Sequence, residues 1–532
     1  MGKGYITDIF WDRIYLNIII EVNDLYMKEI YLFYGKSLFE TIEVESISKN
    51  KYKATINITN IKNGKMLKNG NYSIKFMVGN KYKDLFITTN LGYKLENLDR
   101  IYRYKKYYAY TVNFEVKKVK ENKSNELACI LKSRFMVSDD IPFKIRVKKW
   151  IAKWAKEVFN FMFKVFDGIH QNKKNKILLM SETRSPISGN LKALDERLKE
   201  RGLDKKYKIT YSFGKTLELS RVQLLIRWLK LSWLVSKQER IFIDDYSPIF
   251  KYIDLSKKTE LIQVWHAGVG FKSVGYARFG FAGPEPYESC HRKYNYAIVS
   301  SKALVPVYAE VFGIDKDKIL PYGLPRLDNF LDGDRVNEIK EKLYTDYPIL
   351  KDRKAILFAP TYRGKGQKVA YYPLEKIDLD KMYQLCKKYD YIFLIKMHPF
   401  VKERIKIPEE YKDRIFDFSD YDDINNLLYI TNILITDYSS NIYDFSLLNR
   451  PILFYTFDLE EYELMNKVHR PIKEYAPGKI CYTFEEIIDA IEKQDFEIEK
   501  LQKYKMENFD VQEKRATDMI IDNLILKGEN NG

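Results

Sequence analysis

The feature that most constrains the fold is an alternation, from Lys176 onward, of short apolar runs with longer amphipathic stretches. Short runs that are apolar throughout are typical of strands buried on both faces of a parallel sheet, and the longer stretches predict the helices that cover it. The predicted strands are 177–180, 241–243, 261–264, 297–299, 356–359, 392–395, 433–436 and 452–455. This pattern predicts two doubly wound sheets, one in residues 173–332 and one in 333–532, with a seam at 332–346.

The first part of the chain has a different period. In 52–58 and 72–78, apolar and polar residues alternate, which is typical of strands with one buried face. Asn63-Gly64 and Asn69-Gly70 supply turn residues between these runs. We therefore predict a small β-sandwich in residues 1–135, and we expect it to be an accessory module because the motifs below all follow Lys176.

A linker at 136–172 contains a predicted helix at 143–166. Val147, Ile151, Trp154, Val158 and Phe161 recur at helical spacing, and lysines occupy other faces. A basic amphipathic helix with aromatic residues suits the surface of an anionic membrane. The alternative is a helix that packs between domains.

Charge and cysteine content narrow the class of protein. The net charge of +17 favours an anionic partner, which could be nucleic acid, anionic lipid or a polyphosphate substrate. The four cysteines are far apart and form no CxxC pair, so we expect reduced thiols rather than disulfides or a zinc site. No signal segment and no transmembrane run is evident, which predicts a cytoplasmic location.

The polar residues that follow each predicted strand are the candidates for chemistry, because ligands of doubly wound folds bind at the carboxyl ends of strands. In the first half, His266 and Gly268 follow strand 261–264, and Arg326 lies in 323–328. A histidine there can act as a general base, and glycine permits a close approach to a ligand. The alternatives are a structural histidine and a surface arginine.

The second half carries groups suited to phosphate oxygens. The candidates are Thr361, Arg363, Lys396, His398, Asp437, Ser439 and Ser440. Taken singly, each has a structural alternative, such as helix capping by the serines. Because they converge on two facing sheets, they favour a GT-B-like architecture whose second half binds a nucleotide diphosphate.

The motifs themselves resemble one known family. The segments 265–268 (Trp-His-Ala-Gly), 323–328, 359–363, 396–399 (Lys-Met-His-Pro) and 436–440, in this order, resemble the CDP-glycerol glycerophosphotransferase family. The resemblance runs from about Lys176 to about Lys479. It implies a GT-B fold, CDP-glycerol or CDP-ribitol as donor, and CMP as product.

The resemblance also implies roles for single residues. His266 corresponds to the base, His398 assists at the donor phosphates, and Asp437, Ser439 and Ser440 belong to the donor site. We expect the other candidates to bind the donor as well, namely Gly268, Arg326, Thr361, Arg363 and Lys396. Ala267 departs from the family, which usually has glycine directly after the histidine. The stretch 270–280 is similar to the ribitol-phosphate subgroup, and 466–470 departs from an Arg-Gly pattern, which leaves the acceptor contacts near Arg470 open.

These observations predict transfer of glycerol phosphate or ribitol phosphate to the hydroxyl end of a teichoic-acid-like or capsular polymer. The expected partner is a lipid-linked acceptor at the inner face of the cytoplasmic membrane. An alternative enzyme is an NDP-sugar glycosyltransferase. A nucleic-acid binder ranks last, because the basic residues are spread along the chain.

The sequence shows no clear metal site. The acidic pairs Asp244-Asp245 and Asp422-Asp423 lack accompanying ligands, so we expect no required cofactor and leave a divalent ion open. His291 is the second candidate for the base.

Overall fold

A computed structural model describes residues 3–23, 26–61, 63–121, 124–265, 273–281, 289–364, 369–466, 469–510 and 514–527. In these ranges, eleven strands precede the first long helix. They are β1 (Gly4–Asp12), β2 (Tyr15–Val22), β3 (Glu29–Tyr34), β4 (Ser37–Ser48), β5 (Lys51–Asn57), β6 (Gly70–Val78), β7 (Lys81–Asp84), β8 (Phe86–Ile87), β9 (Arg100–Lys105), β10 (Tyr108–Glu121) and β11 (Ser124–Val137). A short helix α1 (Thr89–Gly92) follows β8, and α2 (Phe143–Ile169) follows β11.

The eleven strands form one sheet, which we call the β-domain. The alternation predicted at 52–58 and 72–78 is confirmed, because β5 and β6 bury every second side chain. The expected sandwich of two separate sheets is not what forms. Strand β6 pairs with β3 through Leu32 and Ile74 and also with β11 through Tyr72 and Leu131, so the sheet closes on itself around one core.

The first parallel sheet contains β12 (Lys176–Ser181), β13 (Lys208–Phe213), β14 (Arg240–Ile243), β15 (Glu260–Gln263), β16 (Tyr296–Ile298) and β17 (Ile319–Leu320). Its helices are α3 (Gly189–Glu200), α4 (Arg221–Val235) and α5 (Val305–Phe312). The strand order is β13-β12-β14-β15-β16-β17. The helices α6 (Pro325–Phe330) and α7 (Gly333–Asp346) lead to the second sheet.

The second parallel sheet contains β18 (Lys354–Phe358), β19 (Tyr391–Ile395), β20 (Ile415–Asp417), β21 (Thr431–Thr436), β22 (Ile452–Tyr455) and β23 (Lys479–Cys481). Its helices are α8 (Leu379–Tyr389), α9 (Ile424–Ile430), α10 (Asn441–Ser446), α11 (Leu459–Asn466), α12 (Ile472–Tyr475), α13 (Phe484–Lys493) and α14 (Ile498–Asn508). The order β20-β19-β18-β21-β22-β23 corresponds to 3-2-1-4-5-6, the order of a Rossmann-type sheet.

The end of the chain returns to the first sheet. Helix α15 (Ala516–Ile520) and the π-turn that follows it place Ile520 and Leu524 in the core under the first sheet. Asp518 accepts hydrogen bonds from Arg197 at 2.8 Å and from Arg201 at 3.0 Å. The assignment of all of 333–532 to the second half therefore needs a correction, because its last helix belongs to the first.

The β-domain is built into the first half rather than attached beside it. Tyr276 and Phe279, which follow strand β15 along the chain, are buried in the core of the β-domain. The Phe279 ring stacks on Tyr102 at 5.4 Å, and Arg292 donates to the carbonyls of Thr59 and Gly64. The β-domain therefore shares packing with the first half, and its accessory role in catalysis stays a prediction.

Candidate active site

Three predicted motifs follow three adjacent strands at the centre of the second sheet. Strand β18 lies between β19 and β21, and the chain order reverses between β18 and β21. In open parallel sheets, ligands bind at the carboxyl ends of strands beside such a reversal. The loops at 359–364, 396–400 and 437–440 all leave the sheet at this edge.

Arg363 holds two of these loops to the loop after β22. Its Nη1 donates to Asp437 Oδ2 at 2.8 Å and to the Thr361 carbonyl at 3.1 Å. Its Nε and Nη2 donate to the two carboxylate oxygens of Asp458 at 2.5 and 2.9 Å. The side chain is 9% exposed. Four guanidinium hydrogen bonds are thus made to the protein, so the bidentate phosphate contact expected of Arg363 does not fit this arrangement.

Asp437 is the buried counterpart of Arg363. Its Oδ1 accepts the backbone N–H groups of Thr361 at 2.7 Å and Tyr438 at 2.6 Å. Burial raises the pKa of Asp437, and the adjacent Arg363 opposes that rise. Asp437 and Thr361 were both predicted to bind the donor. Their contacts with each other instead hold the loops around the site in position.

His398 has its tautomer set by the backbone. Its Nδ1 lies 3.1 Å from the N–H of Phe400, which can only donate, so a neutral ring carries its proton on Nε2. The rings of Tyr362 and Phe400 each lie 4.7 Å from the imidazole. The histidine is thus held as a hydrogen-bond donor, which is the form that a phosphate oxygen requires.

Lys396 and the two serines complete this edge. Lys396 is 6% exposed and donates from Nζ to the Ser419 carbonyl at 2.7 Å, and burial lowers its pKa. Ser439 Oγ accepts the N–H of Asn441 at 3.4 Å, and Ser440 is exposed at the start of α10. The serines are the most accessible of the predicted donor-site residues after β21.

In the first half, His266 and Gly268 lie outside the described residues. The structure does describe Trp265, directly before His266. Its φ is 46°, its N–H donates to Gln263 Oε1 at 2.8 Å, and its carbonyl accepts from Asn190 Nδ2. The residue that precedes the predicted base is therefore fixed by two buried amide side chains.

Asn190 also fixes the second motif of the first half. Its Oδ1 accepts the N–H of Arg326 at 2.9 Å, and the Arg326 guanidinium donates to Asp444 on α10 at 2.6 and 3.2 Å. The contacts Trp265–Asn190–Arg326–Asp444 thus run from one half to the other. Arg326, predicted to bind the donor, joins the two halves here.

His291 is not suited to be the base. It is 3% exposed, its Nδ1 lies 3.0 Å from the Tyr294 hydroxyl, and its ring packs against Phe312 at 5.1 Å. Burial lowers its pKa to about 3. The second candidate for the base is therefore a buried, neutral core histidine.

The acidic pair Asp244-Asp245 lies at the carboxyl end of β14. Asp245 Oδ2 accepts from Ser181 Oγ at 2.7 Å and from two backbone N–H groups, while Arg184 lies 3.1 Å from Asp244. Burial raises the pKa of nearby Glu182 to about 7. Among the described residues, no group of three potential metal ligands forms.

Sequence reasoning missed three residues that organise the site, namely Asn190, Asp444 and Asp458. Asp458 could have been found from the sequence, because it follows strand β22 and ligands bind at the carboxyl ends of strands. Asn190 and Asp444 lie within or at the start of helices, and their partners are distant along the chain. No local pattern identifies them.

The fold and the site together define a class of protein with two Rossmann-type sheets and a polar edge suited to phosphate. Residues 161–526 match the model of the family described as CDP-glycerol:poly(glycerophosphate) glycerophosphotransferase. The chain belongs to this family. It is an enzyme that transfers a polyol phosphate from a CDP-polyol.

Curated relatives include the teichoic acid ribitol-phosphate polymerase TarL of Staphylococcus aureus, which is 37% identical over 383 residues, 71% of this chain and 68% of TarL. The teichoic acid poly(ribitol-phosphate) polymerase of Bacillus spizizenii is 36% identical over 384 residues, 72% of this chain and 61% of that protein. A solved structure of the wall teichoic acid polymerase TagF covers 73% of this chain and 99% of its own, with a TM-score of 0.55 and 21% identity. That likeness supports the fold.

No helix in the described part of the chain is both long and apolar enough to cross a membrane.

Proposed function

We propose that this enzyme transfers ribitol phosphate from CDP-ribitol to the hydroxyl end of a teichoic-acid-like polymer and releases CMP. The observation that carries the choice of ribitol is the gradient of similarity among relatives. Two ribitol-phosphate polymerases are 37% and 36% identical to the chain over about 70% of it, whereas a poly(glycerol phosphate) polymerase is 31% identical. The stretch 270–280 favours the same polyol.

The reaction is a phosphoryl transfer. The acceptor hydroxyl oxygen forms a bond to the polyol-bearing phosphorus, and the bond from that phosphorus to the bridging oxygen of the pyrophosphate breaks. The electron pair leaves with CMP, and His266 takes the hydroxyl proton. The donor and the acceptor supply every atom that this reaction needs.

The two halves take different roles in this proposal, as in a GT-B-type enzyme. The second half binds the donor, with His398 Nε2–H, Lys396, Ser439 and Ser440 directed at the pyrophosphate. Arg363 and Asp437 hold those loops in place. The first half presents His266 to the acceptor. Gly268 allows the protein backbone to approach the acceptor closely.

The test is CMP release with CDP-ribitol and with CDP-glycerol, each offered with a poly(ribitol phosphate) acceptor. We expect release from CDP-ribitol and a much smaller rate from CDP-glycerol. The reverse preference would contradict the choice of polyol, and release from neither donor would contradict the proposed reaction.

We also propose that α2 docks on the inner face of an anionic membrane. Trp150 is 62% exposed, Trp154 is 59% exposed and Phe161 is 70% exposed, so these side chains do not pack between domains. Lys148 and Lys153 are exposed beside them. Apolar side chains that enter the interface and lysines near anionic headgroups both favour such binding.

Flotation with phosphatidylglycerol-rich vesicles tests the membrane proposal. Trp150→Ala with Trp154→Ala should abolish flotation, and Lys148→Glu with Lys153→Glu should weaken it in a salt-dependent way. Lys117→Glu with Lys118→Glu, on exposed positions of β10, is the control with the same change in charge. Unchanged flotation of both α2 variants would contradict the proposal.

A further inference from the structure

A pocket of about 510 Å³ opens where the β-domain meets both halves of the enzyme. Arg13, Arg100 and Tyr102 line it from the β-domain. Ser273 and Phe281 line it from the segment that follows His266 along the chain, and Glu463 and Pro471 line it from the second half. We call it the junction pocket. It touches all three parts of the molecule, although its walls include none of the predicted donor-binding residues.

The chemistry of the junction pocket suits a phosphate attached to an aliphatic chain. Arg100 is exposed in the pocket wall, and guanidinium groups match the geometry of phosphate oxygens. Trp11, Tyr102 and Phe281 supply apolar surface next to it. A few polar groups among apolar walls is the usual composition of a ligand site. Arg13 has a different role, since it binds the buried Glu310 at 2.8 Å.

Cations occur along strand β9 and in the turn after it, beginning at this pocket. Arg100, Arg103, Lys105 and Lys106 follow one another without an acidic residue among them. Strand β9 is an edge strand, and Arg103 forms a β-bridge with Phe281 of the pocket. We call these four residues the β9 cations. They form an exposed basic edge that begins at the junction pocket.

The far end of this edge reaches the proposed membrane helix. The turn after β9 leads into Tyr108, and Lys149 of α2 lies 3.5 Å from the Tyr108 ring centroid. The β9 cations therefore lie between α2 and the junction pocket. This interval therefore lies between the proposed membrane helix and a pocket that both halves of the enzyme line.

We propose that the junction pocket and the β9 cations bind phosphate groups of the acceptor polymer behind its reacting end. This inference rests on the proposed function. The acceptor repeats one negative charge per unit, so several exposed contacts act together, although each is weak. Long acceptors then bind more tightly than short ones, and the advantage decreases as salt screens the charges.

The test compares a long poly(ribitol phosphate) acceptor with an acceptor of a single repeating unit, using the full chain. Arg100→Ala with Arg103→Ala should raise KM for the long acceptor about three- to tenfold at low salt, as expected for the loss of two exposed charge contacts. KM for the short acceptor, kcat and the affinity for CDP-ribitol should not change. Lys117→Ala with Lys118→Ala removes the same charge from β10 and should leave all values unchanged.

Three results would overturn the proposal. Equal KM for the long acceptor in variant and wild type would show that the β9 cations do not contact it. An equal rise for both acceptors would place the contact at the reacting end. Loss of vesicle flotation without a change in KM would assign these residues to the membrane. Fluorescence anisotropy measures direct binding of the long polymer and does not depend on the transfer reaction. It therefore distinguishes failure of the polymer contact from failure of the proposed function.

Discussion

The two sheets hold their functional loops in different ways. In the second half, the loops after β18, β21 and β22 are tied by charged groups, with Arg363 between Asp437 and Asp458. In the first half, the chain before His266 is tied by neutral amides, with Asn190 and Gln263 bonded to the backbone of Trp265. A buried ion pair is rigid but costly to break, whereas an amide adds no charge next to the group it positions.

The difference matches the ligands proposed for each half. A pyrophosphate brings negative charge, so the loops that receive it need a framework that does not shift when that charge arrives. A general base needs a pKa near the working pH, and neutral supports do not displace it.

Arg363→Met should have the largest effect on stability. It leaves Asp437 buried without its cation, and loss of one partner of a buried pair costs about 3–5 kcal/mol. Chemical denaturation measures the loss, and Asp437→Asn added to the same chain should recover part of it. Arg404→Ala, which removes an exposed pair with Asp420, is the control that should change little. Normal stability combined with weakened donor binding would instead identify Arg363 as a phosphate ligand.

Glu182→Gln tests whether burial, which outweighs the nearby Arg227, destabilises the ionised form of a carboxyl group in the first half. Glu182 is 1% exposed, its Oε1 accepts from Trp228, and burial raises its pKa from 4.5 to about 7. Because folding raises the pKa of this acid, the free energy of unfolding falls as pH rises above the pKa of the unfolded state. The loss is complete once pH exceeds the pKa of the folded state.

The expected result is that Glu182→Gln is more stable than wild type by up to about 3 kcal/mol above pH 8. The difference should fall to near zero at pH 4. Denaturation curves across this range measure it, with exposed Glu218→Gln as the control. A difference in stability that does not depend on pH would show that ionisation of Glu182 is not its cause.

Asn190→Ala should cost about 1–3 kcal/mol, because it leaves the buried backbone groups of Val264, Trp265 and Arg326 without a partner. Turnover should fall further than stability explains, while the affinity for CDP-ribitol stays unchanged. Asn190→Asp keeps the acceptor for Arg326, but it sets a buried carboxyl group against the carbonyls of Val264 and Trp265, so it should lose at least as much stability as Asn190→Ala. Asn523→Ala removes an exposed asparagine and serves as control. Weakened binding of CDP-ribitol would instead show that Asn190 supports the donor site.

The sequence was informative wherever a strand is buried on both faces. All eight predicted strands are confirmed, and all lie inside their sheets. The four that were missed, β13, β17, β20 and β23, are the outer strands of the two sheets. They are very short or carry polar and half-exposed residues, so they lack a continuous apolar run.

The sequence located the loops of the candidate site but did not predict the contacts between their side chains. Strand ends identified the loops of the second half, because position in a parallel sheet determines where loops go. The same reasoning could not tell that Arg363 and Asp437 bind each other, since that depends on how two loops 74 positions apart meet. It also could not place Tyr276 and Phe279 in the core of the β-domain, because an aromatic residue predicts burial but does not indicate which part of the protein it packs against.

In the proposed reaction, the first half acts on the acceptor and the second half binds the donor. Calorimetric titration of CDP-ribitol into His266→Ala and His398→Ala, paired with steady-state CMP release, tests it most directly. His266→Ala should lower turnover about 10²–10⁴-fold and leave donor affinity near that of wild type. His398→Ala should lower turnover and also weaken donor binding, because its hydrogen bond exists before the transition state. Near-normal turnover of folded His266→Ala, or unchanged donor affinity of His398→Ala, would contradict the account.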